Sequence, residues 1–193
     1  MKRVFIVHGW DSSPTDAWFP WLKTKLQGPD CKVIIPSMPD SDAPRINKWV
    51  PALGATVGMV DDETYFIGHS MGCQAILRYL ESLPDDKKIG GAIFVAGFIT
   101  RLDNLEDDET VRDVAREWLQ TPLDISQVKK HLPKSVAIFS DNDRYVSLDN
   151  QKNFIELGSE LMIVSGKGHF NGEEDKVLEL PEVLAAFESI LNK

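Results

Sequence analysis

Cysteine is nearly missing: Cys31 and Cys73 are the only two in 193 residues, and they lie far apart in the chain. Such a pair supports neither a disulfide scaffold nor a cysteine-ligated zinc site, and its scarcity points to a reducing compartment. Long apolar runs are missing too. No segment approaches the roughly 20 apolar residues that span a bilayer, and the run Val4 to Val7 behind Met1-Lys2-Arg3 is too short for a signal-peptide core. The expected location is the cytoplasm, with no membrane as partner. Basic residues are in deficit, with 21 Lys and Arg against 30 Asp and Glu and a formal net charge of -9. A surface of that sign repels polyphosphate backbones, so nucleic acid is not an expected partner. Neither H-E-x-x-H nor C-x-x-C spacing occurs, and no metal or other cofactor is expected.

What is present is ordinary globular composition, 42% hydrophobic and 26% charged, which argues against disorder, collagen-like repeats and coiled coils. The length suits one domain with a sizeable core and is too short for two, so residues 1–193 are expected to form a single domain. Short runs rich in Val, Ile and Phe recur at Val4 to Val7, Val33 to Ile35, Tyr65 to Ile67, Ala92 to Ala96, Val136 to Phe139 and Leu161 to Val164. They read as buried strands. Stripes of helical spacing lie between and after them, as in Trp18, Trp21, Leu22, Leu26 and in Ile46, Trp49, Val50, Leu53, Val57. The same spacing returns around Ile76 to Leu83, Val111 to Trp118 and Val183 to Ile190. Pro51 falls inside the second stripe and predicts a kink or break there. Alternating strands and helices imply right-handed βαβ units, a mostly parallel sheet of about six strands and an α/β/α sandwich. Functional groups then belong at the carboxyl ends of the strands.

The chemistry concentrates in Gly68-His69-Ser70-Met71-Gly72, which follows an apolar strand and opens a helical stripe. A serine at a sharp strand-to-helix turn has a strained backbone, and glycines two residues away on either side let neighbouring chain pass; this is the setting of a nucleophile elbow. The serine hydroxyl needs a base and a group that fixes the base's tautomer. Of the four histidines, His8 ends the first strand, His69 adjoins the serine and points away from it, and His131 lies in a lysine-bearing helical segment that suggests a solvated ring. His169, on the glycine-flanked loop after the last strand, is the candidate base. The orienting acid is sought in Ser140-Asp141-Asn142-Asp143 just past the fifth strand, where spacing alone leaves Asp141 and Asp143 both open. Oxyanion donors are expected from the amide of Met71, at a helix N-terminus, and from the amide of Trp10 in the loop after the first strand. Cys73, next to the elbow, reads as a small packing residue.

Taken together, His8-Gly9-Trp10, Gly68 to Gly72, the S-x-x-D stretch Ser140 to Asp143 and Gly168-His169-Phe170 resemble the α/β-hydrolase superfamily, and within it the small serine hydrolases of the retinoblastoma-binding-protein-nine and YdeN type. The likeness covers nearly the whole chain. It implies a compact fold without a large cap, any lid being confined to the helix around Val111 to Leu119, and it carries the acid onto Asp143. Arg144 and Ser147 stand where members of that family often have proline. The implied function is a cofactor-free serine hydrolase that cleaves small carboxylic esters through an acyl-enzyme, with Ser70, His169 and Asp143 as catalytic residues. Trp10, Phe98, Tyr145 and Phe170 are the expected pocket lining. The alternative is a binding or regulatory protein that keeps the hydrolase fold and has little turnover, because fold does not fix function.

Overall fold

The computed structural model describes residues 1–192. Six strands run parallel in one sheet: β1 (Lys2–Val7), β2 (Cys31–Ile34), β3 (Thr64–His69), β4 (Gly91–Val95), β5 (Ser135–Ser140) and β6 (Glu160–Val164), in the spatial order β2-β1-β3-β4-β5-β6. Among the described residues seven α-helices accompany them: α1 (Phe19–Leu26), α2 (Ile46–Val57), α3 (Met71–Glu81), α4 (Glu109–Gln120), α5 (Ile125–His131), α6 (Gln151–Leu157) and α7 (Pro181–Leu191). This is the α/β architecture that the alternating pattern predicts. None of the helices is long and apolar enough to cross a membrane.

Side chains alternate across each strand, and that alternation builds two cores. Phe5, Phe66, Phe94 and Phe139 point to one face and pack beneath α2, α3, α4, α5 and α6. Val4, Ile67, Ile93 and Ile138 point to the other face, which α1 and α7 cover. Trp49 and Trp118 belong to the first core and Trp18 to the second, all without solvent exposure.

Several expectations are corrected. Pro51 does not break α2, which is continuous from Ile46 to Val57; the proline lies on the exposed side, as does Asn47, the residue whose carbonyl it leaves without an N–H partner. The sixth run is not buried: β6 is an edge strand with Leu161 and Ile163 partly open to solvent. His131 is not solvated. It closes α5 fully buried, with its Nδ1 bonded to the Lys87 carbonyl at 2.7 Å and its Nε2 3.2 Å from Gln127 Nε2. The helix α6 lacked a long enough stripe to be read from sequence, since only Phe154 and Leu157 anchor its seven residues.

The helix α4, the one candidate for a lid, is riveted to the core. Its start is capped by Asp108, whose carboxylate accepts from the Thr110 and Val111 amides. Trp118 is fully buried and donates its indole N–H to the Pro44 carbonyl at 2.9 Å. At the far end the Arg78 guanidinium donates to the carbonyls of Trp118, Thr121 and Pro122 at 2.9, 2.8 and 3.2 Å. A buried cation thereby satisfies carbonyls left open where the helix ends.

Candidate active site

Ser70 follows β3 directly and occupies a positive-φ conformation, φ 51° and ψ -118°, that a side-chain-bearing residue rarely adopts. Its neighbours make this tolerable. A Cβ on Gly72 would run into the Val7 and His8 carbonyls at the end of β1, and one on Gly68 would come within 2.9 Å of the Cys73 backbone on α3. Only glycine permits this tight passage from strand to helix beside β1. Ser70 donates its amide to the Val95 carbonyl of β4 at 2.9 Å. Its hydroxyl is thereby fixed at the carboxyl edge of the sheet, with 8% of the residue still exposed.

Three strands deliver the groups that meet there. The Ser70 hydroxyl lies 2.9 Å from His169 Nε2, five residues beyond β6, and His169 Nδ1 lies 2.8 Å from Asp143 Oδ2, three residues beyond β5. With Asp143 as acceptor, Nδ1 carries the hydrogen and Nε2 is left to accept from the serine. The other carboxylate oxygen, Oδ1, accepts from the Tyr145 and Val146 amides at 2.8 and 3.0 Å. Of the two aspartates that spacing left open, Asp143 is therefore the one beside the histidine. Its side chain is 1% exposed and that of His169 12%. Such an arrangement can move a proton from a hydroxyl to an imidazole whose orientation is already set.

Asp141 has a different task. Its Oδ1 accepts from the Gly166 amide at 2.9 Å, and that bond holds its carboxyl below the usual carboxylate range. Ser140 Oγ accepts from the Lys167 amide at 3.0 Å, and Asn142 Oδ1 accepts from the Gly168 amide at 2.8 Å. Four consecutive side chains, from the last residue of β5 onward, thus engage four consecutive residues, 166 to 169, after β6. Further along, Asp175 Oδ2 accepts from the His169 and Asn171 amides at 2.8 and 3.2 Å. These supporting residues were missed from sequence; the signal for the first set was an unbroken run of short polar side chains at the end of a buried strand.

Around this centre the remaining expected residues divide. Met71 opens α3, a position where the helix offers its N–H no internal partner. Trp10 is half-buried, its indole N–H donating to the Asp42 carbonyl at 2.9 Å, and Gly9 before it packs against Ser70, with an added Cβ only 3.2 Å from the serine Cβ. Tyr145 presents its ring edge-on to His169, the centroids 5.2 Å apart. Phe98 and Phe170 are not pocket lining: both are 0% exposed, Phe98 in the core under α3 and Phe170 in the core on the α1 and α7 face. Cys73 is buried, and burial pushes its thiol pKa far up, which leaves no thiolate for chemistry.

Two buried histidines flank the serine loop. His8 Nε2 accepts from the Met38 amide at 3.0 Å while its Nδ1 donates to the Gly9 carbonyl at 2.9 Å. His69 Nε2 donates to the His169 carbonyl at 2.8 Å, so its ring faces the histidine loop and not the serine hydroxyl. Among the described residues no group of three or more His, Cys, Asp or Glu side chains is placed to hold a metal ion.

Sequence and structure comparisons agree on the family of the chain. The family model described as "Serine hydrolase" matches residues 4–189. The putative hydrolase YdeN of Bacillus subtilis (strain 168) is 32% identical over 193 residues, 100% of this chain and 97% of the relative. The serine hydrolase RBBP9 of Rattus norvegicus is 26% identical over 162 residues, covering 83% of this chain and 81% of its own. The crystal structure of the ydeN gene product from B. subtilis superposes over 100% of both chains with a TM-score of 0.89 at 31% identity. Est1E from Butyrivibrio proteoclasticus shares the fold alone, with a TM-score of 0.71 at 15% identity over 100% of this chain and 89% of its own. A match along nearly the whole sheet and a relative of nearly equal length place the chain in the serine hydrolase family.

Proposed function

We propose that the protein cleaves small carboxylic esters by way of an acyl-enzyme. Ser70 Oγ attacks the ester carbonyl carbon as its proton passes to His169 Nε2, giving a tetrahedral oxyanion; Asp143 keeps Nδ1 protonated and supports the imidazolium. The amides of Trp10 and Met71 receive the oxyanion. Collapse breaks the bond to the alkoxy oxygen, which leaves with the proton from His169 as the alcohol. Water then gives its proton to His169, attacks the acyl carbon, and the Ser70–acyl bond breaks to release the acid and restore the hydroxyl. Trp10 and Tyr145, the two half-buried aromatics beside the centre, are the surfaces that a small acyl or alcohol group meets. The pattern of burial supports modest substrates, because Phe98 and Phe170 give no surface to a ligand.

The observation that carries this reading is the continuous hydrogen-bonded series Ser70, His169, Asp143 at 2.9 and 2.8 Å. Labelling with a fluorophosphonate, read by intact mass, together with turnover of short p-nitrophenyl esters, tests it. One adduct on the wild type that vanishes in Ser70→Ala, with ester turnover lost in the same folded variant, is the expected result. No adduct on the folded wild type would favour a binding or regulatory protein instead, and adduct with unchanged turnover in Ser70→Ala would remove Ser70 as nucleophile.

A further inference from the structure

His169 is gripped at more than its ring. Its amide donates to Asp175 Oδ2 at 2.8 Å, and its carbonyl accepts from His69 Nε2, also at 2.8 Å. Phe170, the next residue, is buried with a left-handed φ of 59°, so the chain turns sharply where the grip ends. We propose that His69 and Asp175 form a main-chain clamp on His169, and that His69 is a positioning residue for proton transfer at Ser70. This rests on the reading of Ser70 and His169 as nucleophile and base.

The imidazole's place depends on where its own Cα stands. Asp143 fixes the ring's rotation, whereas the two peptide groups flanking His169 fix the point from which the ring extends. His69 controls the second of these from the residue immediately before the nucleophile. The end of β3 therefore carries both Ser70 and the donor that anchors its base, so a shift of the strand end moves serine and histidine together and preserves the 2.9 Å between them. A misplacement of about 1 Å at a reacting pair costs on the order of 10²-fold in rate, which is why such coupling matters.

The environment of His69 is unsuited to mere core filling. Its ring lies against Trp18, Phe19 and the His169 ring, with centroid separations of 6.2, 5.8 and 5.1 Å. Its Nδ1 is buried without a hydrogen-bond partner, a costly state for a polar atom in an aromatic wall. A phenylalanine would fill that space without an orphaned nitrogen. What only an imidazole or a similar donor supplies is the Nε2–H aimed at the His169 carbonyl. Burial, the largest influence on this ring, pushes its pKa down to about 3, so at neutral pH it is a neutral donor.

The variants His69→Phe, which removes the donor, and His69→Gln, which keeps one near the same position, decide the matter. Three readings are taken on each: the second-order rate of fluorophosphonate labelling, kcat and KM on a short p-nitrophenyl ester, and the downfield proton resonance of His169 Nδ1–H. The expected outcome for His69→Phe is a loss of about 10- to 100-fold in labelling and kcat with KM within about twofold, and a displaced or broadened resonance. His69→Gln is expected within about fivefold of wild type. A folded His69→Phe that labels and turns over at the wild-type rate overturns the clamp, as does a His69→Gln as slow as His69→Phe. Should wild type itself fail to label, the hydrolase reading fails, and the resonance still decides: unchanged in His69→Phe, it overturns the clamp. If His69→Phe does not fold, Asp175→Ala, which releases the amide end of the same residue, is read against the same three criteria.

Discussion

Taking the pH from about 7.5 to about 5 is expected to weaken the fold through two buried histidines. Burial pushes the His69 pKa from 6.5 down to about 3 and lowers that of His8 from the same ordinary value. Above 6.5 both rings are neutral in the folded and the unfolded chain. Below it the unfolded chain binds protons that the folded chain refuses, so stability falls with pH until about 3, where folded His69 also titrates. At pH 5 the chain stands about 1.5 units below the unfolded pKa; at about 1.36 kcal/mol per unit, His69 accounts for about 2 kcal/mol. His8 acts in the same direction for a visible reason, since a proton on Nε2 would displace the Met38 amide that now donates to it at 3.0 Å. Urea titrations at the two pH values measure the effect. Wild type should lose at least about 2 kcal/mol, whereas ordinary carboxylates with pKa near 4 remain mostly ionised at pH 5 and contribute little. His69→Gln should lose about 2 kcal/mol less than wild type over the same interval. An equal midpoint for wild type at both pH values, or an undiminished loss in both His69→Gln and His8→Gln, would refute the reasoning.

Asp143→Asn keeps the shape of the acid but turns an N–H toward His169 Nδ1 and drives the ring into the tautomer that cannot accept from Ser70. Ester kcat should fall about 10⁴-fold with KM nearly unchanged, and a fall of less than about tenfold would remove Asp143 from its assigned part. Arg78→Met should lower the unfolding free energy by about 3 kcal/mol, because it leaves the carbonyls of Trp118, Thr121 and Pro122 without their shared donor. Thermal or urea unfolding reads this directly, and an unchanged midpoint would show that water serves those carbonyls as well.

Much of the architecture was legible because parallel strands buried on both faces are nearly continuous apolar runs, as Tyr65 to Ile67 and Val136 to Phe139 illustrate. The edge strand β6 has a similar run and was misjudged, since its apolar pattern says nothing about whether a neighbour covers it. At the site, the elbow and the histidine loop announce themselves by glycine placement, and Ser70 and His169 lie together as their strand ends suggest. Phe98, Phe170 and His131 all turn into the core, for different reasons. Phe170 does so at a left-handed φ that no spacing rule reports, whereas His131 stands three residues after the buried Val128, on the inner face of α5. The clamp residues were hidden differently: Asp175 acts through main-chain amides, and such contacts leave no pattern of residue types.

The side chains of Ser140, Asp141, Asn142 and Asp143 reach residues 166 to 169 one for one, though not in order. Matching of this kind fixes the length of both loops. Removing the residue between Gly166 and Gly168, or adding one, would put the Asn142 and Asp143 pairings out of step with that of Asp141 and carry His169 away from Ser70. Variation in chain length is thereby excluded from residues 141–143 and 166–169. It is left to segments such as those after β1, β2 and β4, and the long irregular stretch from Ala96 to Asp108 is where this chain has room to lengthen.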